Sequence, residues 1–299
     1  TDSVWASDTL WDSDVHENVA NAPSAISTAM DKAFELISQY TGVTFNKVTE
    51  TTTRVGDIRI GVTTSSEVST AASWAHPPSY SDNSSYGDIW FGPNVSGSDF
   101  STGGYGFSTM LHEIGHSLGL KHPHEAGRDN SGWTPDVMST TYDHNWQTQM
   151  SYRDFPGDDA DGTSVKNVST GVDFQPYTLM YLDILALQQL YSYNTQTSSF
   201  DTPEITDDEN YGVGGTGNNT YSISGINATG SFTIFDTGGT DTLDFSGQSL
   251  SSTINLDEVL SYIGPIGSTS ATDAVISYDG GQYYSGLIVG IYYDNSVEN

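Results

Sequence analysis

The chain has 299 residues, 35% of them hydrophobic, which is enough for one large or two smaller globular domains. Its 38 acidic and 8 basic residues give a net charge of −30, which argues against nucleic acid and anionic membranes as partners because both bind Lys/Arg patches. The composition includes no cysteine, which excludes disulfides and thiolate zinc ligands among these residues, and no apolar run is long enough to span a bilayer.

The first part of the chain predicts a helix followed by strands. Pro23 to Tyr40 carries apolar residues at a 3.6-residue spacing with Gly42 as a stop, which predicts a long helix. Apolar or alternating segments that predict strands follow it: VTFNKV at 43–48, DIRIGVT at 57–63, ASWAHP at 72–77 and GDIWFGP at 87–93. A glycine-rich turn at 103–106 then leads into a further helical segment.

That helical segment contains a histidine motif of the form HExxHxxGxxH. Residues four apart lie on one face of an α-helix, so His112 and His116 can point their imidazoles at one metal ion. Gly119 can adopt the left-handed conformation that ends a helix, which brings His122 back as a third nitrogen ligand. Three protein ligands and one open position describe a catalytic zinc site, and Glu113 can reach a water at that position. The remaining histidines share no such spacing and are predicted to lie at the surface: His16, His76, His124 and His144.

The extended motif is that of the metzincin metalloproteases, and Pro123 directly after the third histidine resembles the serralysin branch. The run NWQTQMSYRD at 145–154 resembles the Met-turn of that branch. This resemblance implies that Met150 is the Met-turn methionine, an apolar floor under the metal, and that Tyr152 is a catalytic tyrosine that helps to hold the oxyanion. Met138 is a rival for the turn, but it has no tyrosine two residues later.

The order of helix, strands and motif helix is the one expected of a metzincin upper subdomain, in which an edge strand runs beside the substrate. By order and by resemblance, the segment 71–76 is predicted to be that strand. An edge strand offers unpaired N–H and C=O groups, to which an extended peptide can add as a further strand. The predicted substrate-binding residues are Ala72, Ser73, Trp74 and Ala75. For Trp74 and His76, ordinary surface packing is the alternative.

Residues 123–176 are predicted to be mostly irregular, with DDADG at 158–162 as a solvated acidic loop or a calcium site. Tyr177 to Tyr191 is apolar on nearly all sides, which predicts a buried helix that closes the catalytic domain. The polar stretch 192–208 marks a domain boundary, and short apolar segments after Asn210 predict an all-β module.

The predicted fold class is therefore α+β. A metzincin-type zincin catalytic domain at 1–200, with a twisted mixed sheet, a zinc helix and a C-terminal helix, precedes a smaller all-β module at 201–299. The run TIFDTGGTDTLDFSG at 233–247 resembles the segment that opens the serralysin calcium-binding domain. Of the GGxGxDxUx repeats that follow in that family, only a partial match at 238–245 is present.

The same resemblance implies structural Ca²⁺ held by oxygen ligands. The implied ligands are Asp236, Gly238 and Asp241 for one site and Gly239, Asp241, Ser296 and Glu298 for a second. The family's Arg-x-Gly-x-Thr loop, which completes the first site, is replaced by Ile205, Asp207 and Glu209. An ordinary Gly-Asp turn is the alternative at 238–241, and the acidity of the chain fits either calcium binding or solubility alone.

The predicted function is a secreted, extracellular zinc-dependent endopeptidase with one catalytic Zn²⁺, structural Ca²⁺, and Glu113 as general base. Its expected partners are protein or peptide substrates, without nucleic acid or membrane insertion, and the chain is expected to be a monomer. Its first residues, TDSVWASDTL, contain no signal-like apolar core, as expected of a mature form. The alternatives are a metzincin of another branch, disfavoured by Pro123, and a calcium-stabilised binding or surface protein with a non-catalytic zinc site, disfavoured by Glu113.

Overall fold

The structure is a computed structural model of the chain. The residues that it describes are 19–49, 51, 56–63, 73–78, 86–96, 98–129, 132–134, 137–154, 175–191, 193–194, 199–200, 207, 211–215, 217–222, 231–236, 239–244, 246, 253–254, 274–277 and 288–293. Several sequence predictions fall outside them: Ala72, the acidic loop at 158–162, Gly238, Ser296 and Glu298.

The described residues contain both helices and strands. In chain order the elements are β1 (Val19–Asn21), α1 (Ser24–Thr41), β2 (Ile60–Thr63), β3 (Ser73–Ala75), β4 (Ile89–Phe91), α2 (Pro93–Ser96), α3 (Tyr105–Ser117), β5 (Gly127–Asp129), β6 (Gly132–Thr134), α4 (Tyr181–Tyr191), β7 (Tyr193–Asn194), β8 (Ser199–Phe200), β9 (Val213–Gly214), β10 (Thr220–Ser222), β11 (Ser231–Asp236), β12 (Thr242–Asp244), β13 (Thr253–Ile254), β14 (Ala274–Ser277) and β15 (Ile288–Tyr293). Within the described part of the chain, no helix has the length and apolar character needed to cross a membrane.

The chain divides into two compact units, the first comprising residues 1–34 and 45–121 and the second comprising residues 35–44 and 122–299. The described strands of the first unit form a sheet in the order β1-β2-β4-β3. The β2–β4 pair is parallel, whereas β1–β2 and β3–β4 are antiparallel, so the sheet is mixed as predicted. The predicted edge strand is β3, which stands at the end of this order.

A buried ion pair supports the first sheet next to its central strands. Arg59 precedes β2 and Asp88 precedes β4, and their side chains are 1% and 0% exposed. The guanidinium donates two hydrogen bonds to the carboxylate, from Nε to Oδ1 at 2.9 Å and from a terminal nitrogen to Oδ2 at 2.7 Å. Removing one partner would leave the other charge buried, which typically costs about 3–5 kcal/mol. The alternating apolar pattern of the strands gave no indication of this pair.

The prediction of a first long helix is confirmed, with α1 ending one residue before Gly42. The prediction of a strand at 43–48 is wrong, because residues 42–49 form neither helix nor strand. The alternation there comes instead from packing against α1, where the ring centroids of Phe34 and Phe45 are 4.6 Å apart. Alternation indicates which side chains are buried, but a strand also needs a hydrogen-bonded partner.

The second unit has an aromatic core around β11. Its described strands include a sheet in the order β13-β14-β15-β11-β9, in which β11 pairs in parallel with both neighbours. Phe232 stacks on Tyr177 at a centroid distance of 5.2 Å, and Phe235 meets Tyr40 edge to face at 5.7 Å. The backbone N–H of Thr233 donates to Thr178 Oγ1 at 2.9 Å. Strand β11 is therefore packed against the end of α1 and the segment before α4.

The predicted helix at 177–191 begins later than expected and is buried only in part. Helix α4 starts at Tyr181, and its buried residues lie in its first two turns. Leu190 and Tyr191 at its C-terminal end are 56% and 43% exposed. The nearly continuous apolar sequence therefore overstated the burial of this helix, because scattered exposed Leu and Tyr side chains are normal on protein surfaces.

Candidate active site

Helix α3 carries the first two motif histidines and Glu113 between them. His112 and His116 are half-buried, and their ring centroids are 4.7 Å apart at an interplanar angle of 87°. Glu113 is 5% exposed. Most of the helix is buried, which holds the backbone of these three residues in place. The one-turn spacing thus places both imidazoles side by side, as predicted from the sequence.

The C-terminal end of α3 is a Schellman motif. Gly119 has a φ of 102°, its N–H donates to His116 O at 2.9 Å, and the N–H of Leu120 donates to Gly115 O at 2.9 Å. A residue with a side chain rarely adopts this φ, which explains the glycine at this position of the motif. The reversal directs the chain from Ser117 into the loop that carries His122.

The three motif histidines form one group in the structure. One ring nitrogen from each of His112, His116 and His122 lies within 4.8 Å of the others. His116 Nδ1 is 2.8 Å from Leu120 O, and because a carbonyl can only accept, Nδ1 carries the proton and Nε2 keeps its lone pair. His122 Nδ1 lies 2.9 Å from Glu125 Oε1. A neutral imidazole nitrogen that keeps its lone pair, as His116 Nε2 does, fits Zn²⁺.

The two carboxylate oxygens of Glu113, the residue after His112, differ in their hydrogen bonding. Ser73 Oγ donates to Oε1 at 2.5 Å, whereas buried Oε2 has no hydrogen-bond partner among the described residues. Burial raises the pKa of Glu113 to about 7, and the hydrogen bond from Ser73 acts in the opposite direction. A dication on the histidines would also favour the carboxylate. In its ionised form the carboxylate can accept a proton and later return it.

Tyr152 lies against the third histidine. Its ring centroid is 4.4 Å from that of His122 and 5.1 Å from that of His124, and the side chain is 43% exposed. A second group able to hold a metal consists of His122, His124 and Glu125, with ligand atoms again within 4.8 Å of one another. Burial and the neighbouring His122 lower the pKa of His124. Since both groups contain His122, they compete for one side chain.

The segment around Met150 is fixed by hydrogen bonds within the second unit. Met150 is 2% exposed, and its N–H donates to Thr148 Oγ1 at 3.1 Å. Thr148 Oγ1 in turn donates to Asp183 Oδ1 at 2.6 Å. Asp183 Oδ2 accepts from the N–H groups of Gln149 and Met180 at 2.6 and 3.0 Å. The rival Met138 is half-buried and lies in the loop after the motif, where its N–H donates to Pro123 O.

Two buried acids and one buried histidine in this region were not predicted from the sequence. Asp183 lies inside an apolar run, and Asp143, which accepts from Ser151 Oγ at 2.6 Å, carries no motif. His144 was predicted to lie at the surface, but it is 2% exposed, and burial lowers its pKa to about 4. Its Nε2 lies 3.0 Å from Thr141 O, an internal contact that spacing alone does not reveal.

The predicted substrate strand lies beside the motif helix. Ser73 pairs with Phe91 and Trp74 with Trp90 in the β3–β4 register. The Ser73 side chain contacts Glu113 on α3, whereas the Trp74 ring lies 4.3 Å from that of His76. Ala75 is buried, and Ala72 lies outside the described residues.

The described calcium candidates show carboxylates that accept internal hydrogen bonds. Asp236 is 4% exposed and accepts a short hydrogen bond from the Tyr221 hydroxyl. Asp241 Oδ1 accepts from Asn219 N at 2.9 Å. Gly239 has a φ of +121°, and an added Cβ would lie 1.9 Å from Gly217 O, so a glycine is required there. The carboxylates of Asp236 and Asp241 do not appear in a common metal-binding group among the described side chains.

Comparison with known proteins gives the family. The family model for Peptidase M10, described as Matrixin, matches residues 5–164, and the model described as Peptidase M10 serralysin C terminal matches residues 202–281. The chain therefore belongs to the M10 peptidase family, and the matrixin match implies a metzincin-type zincin fold. The second match and the serralysins among the curated relatives place the chain in the serralysin branch of that family.

Three of these relatives are bacterial metalloproteases. The chain is similar to metalloprotease AprA of Pseudomonas entomophila (33% identical over 62% of the chain), serralysin of Photorhabdus luminescens (37% over 54%) and serralysin C of Dickeya chrysanthemi (36% over 64%). The matches cover 37%, 31% and 38% of these relatives' own lengths. The chain thus spans about a third of the length of these relatives.

Proposed function

We propose that the protein is a zinc-dependent endopeptidase that hydrolyses peptide bonds of protein substrates. The observation that carries this proposal is the convergence of the His112, His116 and His122 ring nitrogens, with buried Glu113 on the same helix as the first two. Three imidazole ligands are typical of a catalytic zinc site and not of a structural one, because they leave the fourth coordination position open to water or substrate. The names of the similar proteins, metalloprotease and serralysin, agree with this chemistry.

Zinc, when bound, supplies a Lewis acid that polarises the peptide carbonyl and lowers the pKa of water. Glu113 uses Oε2 to accept the proton of the attacking water and later returns it to the leaving amine. Tyr152, placed at the third histidine and partly exposed, donates a hydrogen bond from its hydroxyl to the developing oxyanion. Strand β3, which ends the order of the described strands in its sheet, aligns the substrate backbone as an added strand through Ser73, Trp74 and Ala75.

The finer parts of the proposal concern the rest of the chain. We assign residues 1–200 to the catalytic domain and 201–299 to an all-β module that binds structural calcium. Burial raises the pKa of the Tyr221 hydroxyl, and the carboxylates of Asp236, Asp241 and Asp207 raise it further. These three carboxylates concentrate negative charge that a hard cation would balance. The implied oxygen ligands Gly238, Gly239, Ser296 and Glu298 belong to this proposal, as do secretion and a monomeric state. Bound calcium would serve a cysteine-free extracellular protein as a stabilising cross-link.

Replacing Glu113 by Ala tests the assigned reaction. The variant should bind one zinc per chain, as measured by metal analysis, but its hydrolysis of casein should fall by at least about 10²- to 10⁴-fold. A zinc chelator should abolish wild-type hydrolysis, and added zinc should restore it. Near wild-type turnover by the Glu113→Ala variant would refute Glu113 as the base. A wild-type protein that binds zinc without cutting casein or gelatin would favour the alternative of a binding protein.

A further inference from the structure

The side chain of Ser73 connects the substrate strand to the proposed base. Ser73 Oγ lies 2.5 Å from Glu113 Oε1. An ionised carboxylate can only accept, so the serine hydroxyl is the donor. Short O–H···O⁻ bonds of about 2.5–2.7 Å are typical of charge-assisted pairs, which are stronger than neutral hydrogen bonds. The hydroxyl is thus committed to one carboxylate oxygen.

This bond selects which oxygen of Glu113 is available for proton transfer. With Oε1 held, the carboxylate plane is fixed, and Oε2 is the oxygen that has no partner among the described residues. Glu113 is buried, so few solvent contacts compete with the serine for this oxygen. Without the hydroxyl, the carboxylate could rotate about its terminal torsion, which has a broad energy well.

Strand geometry explains why a serine on β3 can act in this way. Successive side chains of a strand point to opposite faces, so the Ser73 side chain is directed to α3 while that of Trp74 points away. The backbone of Ser73 remains in the strand, within the plane of the sheet. One residue therefore contacts the base through its side chain and belongs through its backbone to the strand proposed to align the substrate.

We infer that Ser73 is a positioning residue for the general base, which fixes Glu113 relative to the edge strand on which the substrate is aligned. This inference rests on the proposed function. It differs from the predicted role of Ser73 in substrate binding, which concerned the strand backbone. Because the side chain acts through Glu113, its removal should change the rate of the chemical step and leave substrate affinity largely intact.

The test compares Ser73→Ala with Ser73→Thr in the zinc-loaded full chain, using a fluorogenic peptide substrate. We expect Ser73→Ala to lower kcat by about 10- to 100-fold with KM within about twofold, because a lost charge-assisted bond and a loosened catalytic group each have effects of this size. Ser73→Thr keeps the hydroxyl and should retain most of the activity. Ser101→Ala is the matched control, since it removes another serine hydroxyl that bonds a carboxylate, that of exposed Asp99.

A double-mutant cycle separates positioning from a structural effect. In a Glu113→Asp background the shortened carboxylate cannot reach the serine, so adding Ser73→Ala should lower kcat by less than about twofold. Zinc content and the zinc dissociation constant should be unchanged in every Ser73 variant. If Ser73→Ala does not fold, the isosteric pair Ser73→Thr and Ser73→Val provides the same comparison.

The inference is overturned if Ser73→Ala keeps wild-type kcat, if its loss is equally large in the Glu113→Asp background, or if KM rises while kcat is unchanged. The last result would assign the hydroxyl to substrate binding. These outcomes are distinct from failure of the proposed function, because an active Glu113→Ala variant would refute the base without reference to Ser73.

Discussion

Replacing Asp183 by Asn should remove a loss of folding stability that the wild type undergoes as the pH rises from about 4 to about 7. Asp183 is 2% exposed, and burial raises the pKa of its carboxyl from its ordinary 3.8 to about 6, although hydrogen bonds from Thr148, Gln149 and Met180 oppose the shift. Between these two values the folded protein retains a proton that the unfolded chain releases. The contribution of protonated Asp183 to the free energy of unfolding is therefore fully present below pH 3.8 and is lost as the pH rises through 6.

The size of this effect follows from the shift of about 2 pKa units. Each unit corresponds to about 1.36 kcal/mol, so the wild type should lose about 2–3 kcal/mol relative to Asp183→Asn between about pH 4 and pH 7. Asparagine resembles the protonated acid in shape, so the two proteins should be similarly stable at the lower pH. At neutral pH the asparagine variant should be the more stable one, because it buries no charge.

The assay is urea unfolding followed by tryptophan fluorescence, with both proteins in a Glu113→Ala background that prevents autolysis. Metal release affects both proteins alike and therefore cancels in the difference. Asp57→Asn, at an exposed position, controls for the change in net charge. A stability difference between wild type and Asp183→Asn that stays constant from pH 4 to pH 7 would refute the reasoning.

Asp183→Ala separates the hydrogen bonds from the charge. It has no acceptor for the N–H groups of Gln149 and Met180, whereas Asp183→Asn keeps one oxygen for them. An unsatisfied buried N–H costs about 1–3 kcal/mol, so the alanine variant should be less stable than the asparagine variant by about 2–5 kcal/mol at every pH. Equal stability of the two would show that these bonds contribute little.

Three other perturbations have defined outcomes. Tyr152→Phe should lower kcat by about 10²-fold with little change in KM, because the hydroxyl acts on the transition state; an unchanged kcat would move this role to another group. Gly119→Ala places a side chain at a φ of 102°, so it should lower the free energy of unfolding by about 1–2 kcal/mol. It should also weaken zinc binding in a chelator competition, and an unaltered zinc affinity would show that the loop carrying His122 tolerates the strain. Removing calcium while keeping zinc saturated should lower the melting temperature and speed autolysis, and identical melting with millimolar calcium would exclude the calcium assignment.

The zinc-binding stretch was predictable because its geometry is local. The distance between His112 and His116 depends only on the helical repeat. The position of His122 depends on the chain reversal at Gly119, just after the helix ends at Ser117. Resemblance to known proteins added Tyr152, which does lie at the third histidine. Its catalytic role stays a prediction.

The groups that hold the site together could not be read from the sequence. Asp183 contacts Thr148, which is 35 residues away, and Ser73 contacts Glu113, which is 40 residues away. Hydrophobic periodicity indicates which face of an element is buried, but it does not show where a polar side chain inside that face finds its partner. The same limit accounts for His144, whose burial depends on the fold of its loop.

The packing of β11 has a consequence for how this protein can be shortened. Phe232 and Phe235 cover Tyr177 and Tyr40, which belong to the part of the chain assigned to catalysis. An expression boundary placed near residue 200 would therefore remove one half of each aromatic pair and bare an apolar surface on the remainder. A shortened form of this chain should therefore retain β11, or carry polar residues in place of the bared aromatic ones.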